Sequence, residues 1–173
     1  MTSAAHALPE GASIHRLSRY RREKRLEHVD SRKPRTMRVG DLSRVSGVSV
    51  ATISTWTKRG IWHRPAEDGA HRRFGFWDAL HLAVIKEMAS LGMVISGRGA
   101  RLSESLMECA QAHVAWEGDL NSTPERIALY ALDDDHEWQM DWTSAPAALP
   151  RSYVVLNLRA VVDDVNRRFY SPP

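Results

Sequence analysis

The side chains in this sequence that could do chemistry are few and scattered. Of the 8 histidines, only His63 and His71 stand close enough to suggest a shared ligand. Two imidazoles without a third donor make half a metal site, and polar loop residues fit the pattern as well. Asp133, Asp134 and Asp135 could hold a cation or form a solvated turn. The single cysteine, Cys109, can close neither an internal disulfide nor a thiolate cage, and among leucines and alanines it reads as a small core residue. There is no phosphate loop, nucleophile elbow or HExxH helix. The expectation is therefore a protein that is not an enzyme, with no catalytic residue, no resident metal and no cofactor.

What stands out instead is cation chemistry directed at a polyanion. The 173 residues carry a net charge of +3, but unevenly. Residues 1–38 hold 10 Lys and Arg against 4 Asp and Glu, and residues 39–101 hold 9 against 5. Residues 102–173 reverse this, with 5 against 12. A basic front and an acidic back suggest a nucleic-acid-binding half followed by one with another task; solvated faces are the alternative. Arg16, Arg19, Arg21, Arg22, Lys24 and Arg25 belong to a basic arm over 1–36. That arm either tracks a phosphate backbone or minor groove, or is a solvated tail. No apolar run approaches the ~18 residues needed to cross a bilayer, and no secretory leader is visible. A cytoplasmic protein is expected.

The elements that would position such chemistry begin at Met37. Val39 or Gly40 to Ser46 predicts a short helix, and Gly47 supplies the positive φ of a tight turn. Ser49 is an N-cap for a second helix reaching about Arg59, with Ile53 and Trp56 on its buried side and Gly60 closing it. Two short helices about a glycine turn form the helix-turn-helix pattern. Leu42, small Ser43, Gly47, Val48, Ile53 and Trp56 stand close to its usual spacing. Pro65 to Gly69 and His71-Arg72-Arg73-Phe74 then predict a basic wing hairpin. A third helix follows from about Trp77 to Leu91, closed by Gly92.

The run VGDLSRVSGVSVATISTWTKRGIW, followed by GAHRRF, a helix and LG, resembles the winged-helix DNA-binding domain of MerR-type transcriptional regulators, with a likeness to excisionase-type domains. The resemblance covers about Met37 to Leu102. It implies that Ser49 to Arg59 is a recognition helix in the major groove and that Arg72 and Arg73, beside His71, contact phosphate or minor groove. Where such regulators carry an Arg and two aromatic residues, this chain has Ser54, Thr55 and Trp56, followed by Thr57. Ser54 and Thr55 can read base edges through their hydroxyls, with Ala51 or a Thr methyl against thymine methyls; Thr52 belongs to the same surface. Ser49 and Val50 open the same surface. With few charges on the helix, affinity shifts onto Arg44, Lys58, Arg59 and the wing, whose phosphate contacts position without specifying sequence.

The second half departs from the family plan of one long coiled-coil helix. Leu102, Leu106, Ala110 and Val114 predict a moderate helix over 96–118, forming either a short dimer seam or a layer against the winged domain. Strands are expected at 126–132 and 137–142, the latter putting Trp138, Met140 and Trp142 on one face, which is either buried or a pocket or partner groove. A third strand at 152–158 and a helix from Arg159 to about Tyr170 complete the unit. The reading is an α+β protein. It has a basic arm (1–36), a winged helix-turn-helix domain (37–95), a linking helix (96–118) and a small antiparallel three-stranded sheet with a terminal helix (119–173). Its expected partners are double-stranded DNA, a second copy of itself and, through the acidic unit, a protein such as RNA polymerase. The expected function is a sequence-specific, nucleoid-associated regulator of transcription. An excisionase-like DNA-bending factor and a DNA-tethered interaction module are the rivals.

Overall fold

The structure is a computed structural model that describes residues 36–63, 73–118, 123, 125–131, 138–141 and 153–171. Among these residues the order is α1 (Val39–Ser46), α2 (Val50–Lys58), α3 (Phe76–Ser90), α4 (Arg98–Glu117), β1 (Ile127–Ala131), β2 (Trp138–Asp141), β3 (Val154–Leu156) and α5 (Leu158–Tyr170). The class is α+β, as expected. Residues 1–35 of the basic arm, His71 and Arg72 of the expected wing, the acidic triplet 133–135 and Trp142 lie outside the described residues.

Local signals set the first helices. Asp41 lies in the first turn of α1 and Arg44 in its last, each favourable to the helix dipole. Gly47 ends α1 at φ 68°, the left-handed conformation that a glycine adopts without Cβ strain. Ser49 then caps α2, its Oγ accepting from the Thr52 amide at 3.1 Å. Arg59 is the C-cap and Gly60 follows at φ 65°. In α3, Asp78 Oδ2 accepts from the Gly75 amide at 2.7 Å and closes the first turn. That helix buries seven residues from Ala79 to Met88, so apolar neighbours surround most of it.

The helix after the loop at 91–97 begins at Arg98, two residues later than its periodicity suggests. Gly97 is its N-cap, and the Val94 carbonyl occupies the space that a Cβ on Gly99 would need. Only glycine lets the incoming loop lie on the helix there. Leu102, Leu106, Met107 and Ala110 are buried, and α4 packs on α3. The leucine seam is thus used within the chain.

The sheet has the order β2-β1-β3, antiparallel throughout. Ile127 stands opposite Leu156, and Leu129 stands between Met140 and Val154. Ile127, Leu129 and Leu156 are fully buried. The third strand is shorter than the apolar run around it because Asn157 caps a helix: its Oδ1 accepts from the Ala160 amide at 3.0 Å. Leu158 therefore opens α5 instead of closing the strand.

Helix α5 buries Leu158, Val162, Val165 and Phe169, a stripe at 3.6-residue spacing. That stripe faces α3 and α1, and Phe169 meets Phe76 edge to face with ring centroids 5.5 Å apart. One apolar cluster runs from Leu42, Val45 and Ile53 through α3 and α4 to Leu129, Leu156 and Phe169. The helix-turn-helix and the C-terminal elements share this core.

Candidate nucleic-acid interface

Helix α2 is anchored from within by Ile53, which has no exposed surface, and by half-buried Trp56 packed against the core. At 100° per residue, Ala51, Thr55 and Lys58 then form the opposite face, and all three are exposed. Val50, 46% exposed, and half-buried Ser54 flank this strip on one side; half-buried Thr52 and exposed Arg59 flank it on the other. The helix carries no carboxylate. It offers hydroxyls and methyls with two cations at one end.

Those hydroxyls are partly engaged already. Ser49 Oγ lies 2.8 Å from Thr52 Oγ1, and Thr55 Oγ1 donates to the Ala51 carbonyl at 3.0 Å. Thr57, on the inner side, donates to the Ile53 carbonyl at 2.8 Å. Thr55 thus keeps its lone pairs open, while the Ser54 hydroxyl has no hydrogen bond among the described residues. Lys58 and Arg59 have no carboxylate partner among the described residues either.

At the base of the expected wing, Met37 and Phe74 form an antiparallel bridge with both hydrogen bonds made, at 2.7 and 2.9 Å. Arg73 is exposed, and its Nη1 donates to Thr36 Oγ1 at 3.0 Å. Trp62 and Phe74, which flank 64–72, are buried with ring centroids 6.0 Å apart. Arg44 is exposed on α1, and its Nη1 donates to the Arg168 carbonyl, 124 residues away, at 3.2 Å. The structure thus brings Ser49, Val50, Ala51, Thr52, Ser54, Thr55, Lys58 and Arg59 together on α2. Arg44 stands on the neighbouring helix and Arg73 beside the Met37–Phe74 bridge.

Three features escape the sequence. Exposed Lys86 on α3 and half-buried Arg168 on α5 reach the turn at Gly47; the amphipathic pattern of α5 says that it packs, but not on what. The third is a histidine cluster behind the wing base. His63 Nδ1 lies 2.6 Å from Glu104 Oε1 on α4. His81 Nε2 lies 3.0 Å from Ser103 Oγ, whose own proton goes to the Ala100 carbonyl. The serine oxygen therefore accepts, and His81 is the neutral Nε2–H tautomer. Burial pushes the His81 imidazole down to about 4; Glu104 raises it in part and His63 lowers it further. Among the described residues, no group of three or more His, Cys, Asp or Glu could hold a metal ion, and no helix is long and apolar enough to cross a membrane.

Comparison with known families agrees with this geometry. Residues 37–98 match the family model described as MerR HTH family regulatory protein. A search of curated proteins finds no match. The matched segment contains α1, α2, Arg73 and all of α3.

Proposed function

Residues 37–98 being a MerR-type helix-turn-helix domain, we propose that the protein is a sequence-specific, dimeric regulator of transcription that binds duplex DNA through α2 and a basic wing. The carrying observation is the exposed, carboxylate-free strip of α2 backed by Ile53. Laid in a major groove, Ser54 and Thr55 would address base edges, with Ala51 and the Thr52 methyl against thymine methyls. Ser49 and Val50 open that surface. Arg44, Lys58, Arg59, His71, Arg72 and Arg73 would hold the phosphates and set register.

Two copies would read two half-sites whose spacing is fixed by the dimer. The Leu102/Leu106 seam is buried within the chain, so a second copy would use another surface. The far end of α4, where Trp116 is 77% exposed, is the candidate. On this reading the protein works in the cytoplasm on the nucleoid, and contacts to RNA polymerase would come from the acidic C-terminal half. Bending DNA for a recombinase is the second reading, supported by the likeness to excisionase-type domains.

Genome-wide occupancy mapping combined with transcript profiling after deletion tests the proposal. Discrete palindromic peaks beside promoters whose transcripts change are expected. Clustered sites at recombination junctions with no transcript change would move the assignment to the bending factor.

A further inference from the structure

The C-terminal helix brings a cation to the helix-turn-helix itself. At Gly47, Arg168 Nη1 lies 2.6 Å and Lys86 Nζ 3.0 Å from the point where a Cβ would stand. Two cations from α5 and α3 thus share the small volume in front of the turn between α1 and α2. Arg44 Nη1 donates to the Arg168 backbone carbonyl, so a third cation stands at the same end of α5. Carboxylates are also near. Asp164 accepts from Arg167 Nη2 at 2.6 Å and from Arg168 Nη2 at 2.5 Å, and with Glu87 it lines the cleft beside Lys86. Asp164 takes one edge of the Arg168 guanidinium and leaves the Nη1 edge toward the turn. Neither Lys86 nor Arg44 forms an ion pair among the described residues.

Asp164 offsets part of this charge, but Lys86 Nζ and the Nη1 edge of Arg168 meet at the turn itself, and like charges held this close favour an anion between them. The location specifies which anion. The turn immediately precedes the Ser49 cap of α2. When a helix-turn-helix places its second helix in the major groove, its first helix crosses the flanking backbone. We propose that Lys86, Arg168 and Arg44 form a phosphate clamp at the Gly47 turn, through which the C-terminal helix takes a direct part in gripping duplex DNA. This rests on the DNA-binding reading above. It adds that the acidic half of the chain supplies a backbone contact.

The test is a salt titration of the full-length protein on a duplex enriched by the wild type from a random-sequence pool. Each of Lys86→Gln and Arg168→Gln is expected to weaken binding several-fold and to lower the slope of log K against log salt by about 0.9. Arg126→Gln, a cation just before β1 paired with Glu125, is expected to leave the slope unchanged. Lys86 is exposed, so K86Q decides the matter even if R168Q loosens α5. An unchanged slope in K86Q, with normal wild-type binding, overturns the clamp and leaves the regulator reading standing. A wild type that enriches no duplex overturns both. In NMR, the Gly47 amide is expected to shift on adding duplex and to stay in place with inorganic phosphate at constant ionic strength. A shift with phosphate alone would mean a small-anion site and overturn the DNA assignment.

Discussion

Helices α2, of 9 residues, and α5, of 13, use their side chains in opposite ways. In α2 a single residue, Ile53, is fully buried, and the outer strip is left open. In α5 four residues, Leu158, Val162, Val165 and Phe169, enter the core, and on its outer side Asp164 pairs with Arg167 and Arg168. A helix that must present its face to a groove can bury little apolar area, so its own packing holds it weakly. Its fixed position then depends on its caps and on a core that other elements fill. Here α5 does much of that filling, from the far end of the chain.

The sharpest way to break this contrast is to empty the α5 anchor. Phe169→Ala is expected to cost ~3–5 kcal/mol, measured by urea unfolding, and to melt α2 in the same transition. Two separate transitions, with α2 intact after α5 is lost, would show that the helices do not share their stability.

Acid comes next. Burial pushes the folded His81 imidazole down to about 4, below its ordinary value of 6.5, so between these values the unfolded chain binds more protons. Stability is therefore fully present above about pH 6.5 and falls as the pH drops toward 4, by on the order of 3 kcal/mol. His81→Leu should flatten that fall in denaturation curves taken across the window. An equally steep fall in the variant would place the titration elsewhere.

Two smaller effects probe α2 and its turn. Gly47→Ala places a Cβ at φ 68° against Arg168 and Lys86 and should cost about 1–2 kcal/mol in chemical denaturation. Ser49→Ala removes the cap of α2 and should cost ~1 kcal/mol. Ser54→Ala and Thr55→Ala should barely alter stability but change which duplexes are enriched from a random pool. Uniform weakening across all sequences would mean that their hydroxyls do not read bases.

The contrast also explains what could be read in advance. The α1–turn–α2 segment is written in short-range signals: Gly47 for the turn, Ser49 for the cap, and Leu42 and Ile53 for the inner face. A family resemblance adds its orientation on DNA. The amphipathic stripe of α5 was equally legible, and so were the three strands to within a few residues. The stripe states only that it must be covered. Its covering by α1 and α3, and hence the meeting of Arg44 with Arg168, depends on tertiary contacts that leave no local mark. The same limit hid the His81–Ser103 pair, because a histidine on a mostly apolar helix does not announce its partner. The pairs Asp164–Arg167 and Asp164–Arg168 follow i,i+3 and i,i+4 spacing. Asp164 therefore acts through these side-chain pairs.

The most direct measurement of the central claim is hydrogen exchange across the full-length protein, with and without an enriched duplex. The account predicts slower exchange on addition of duplex over residues 49–59 and at the Gly47 turn, with the β1–β3 sheet little changed. Protection confined to the sheet, or none anywhere at a duplex concentration that saturates binding, would contradict it.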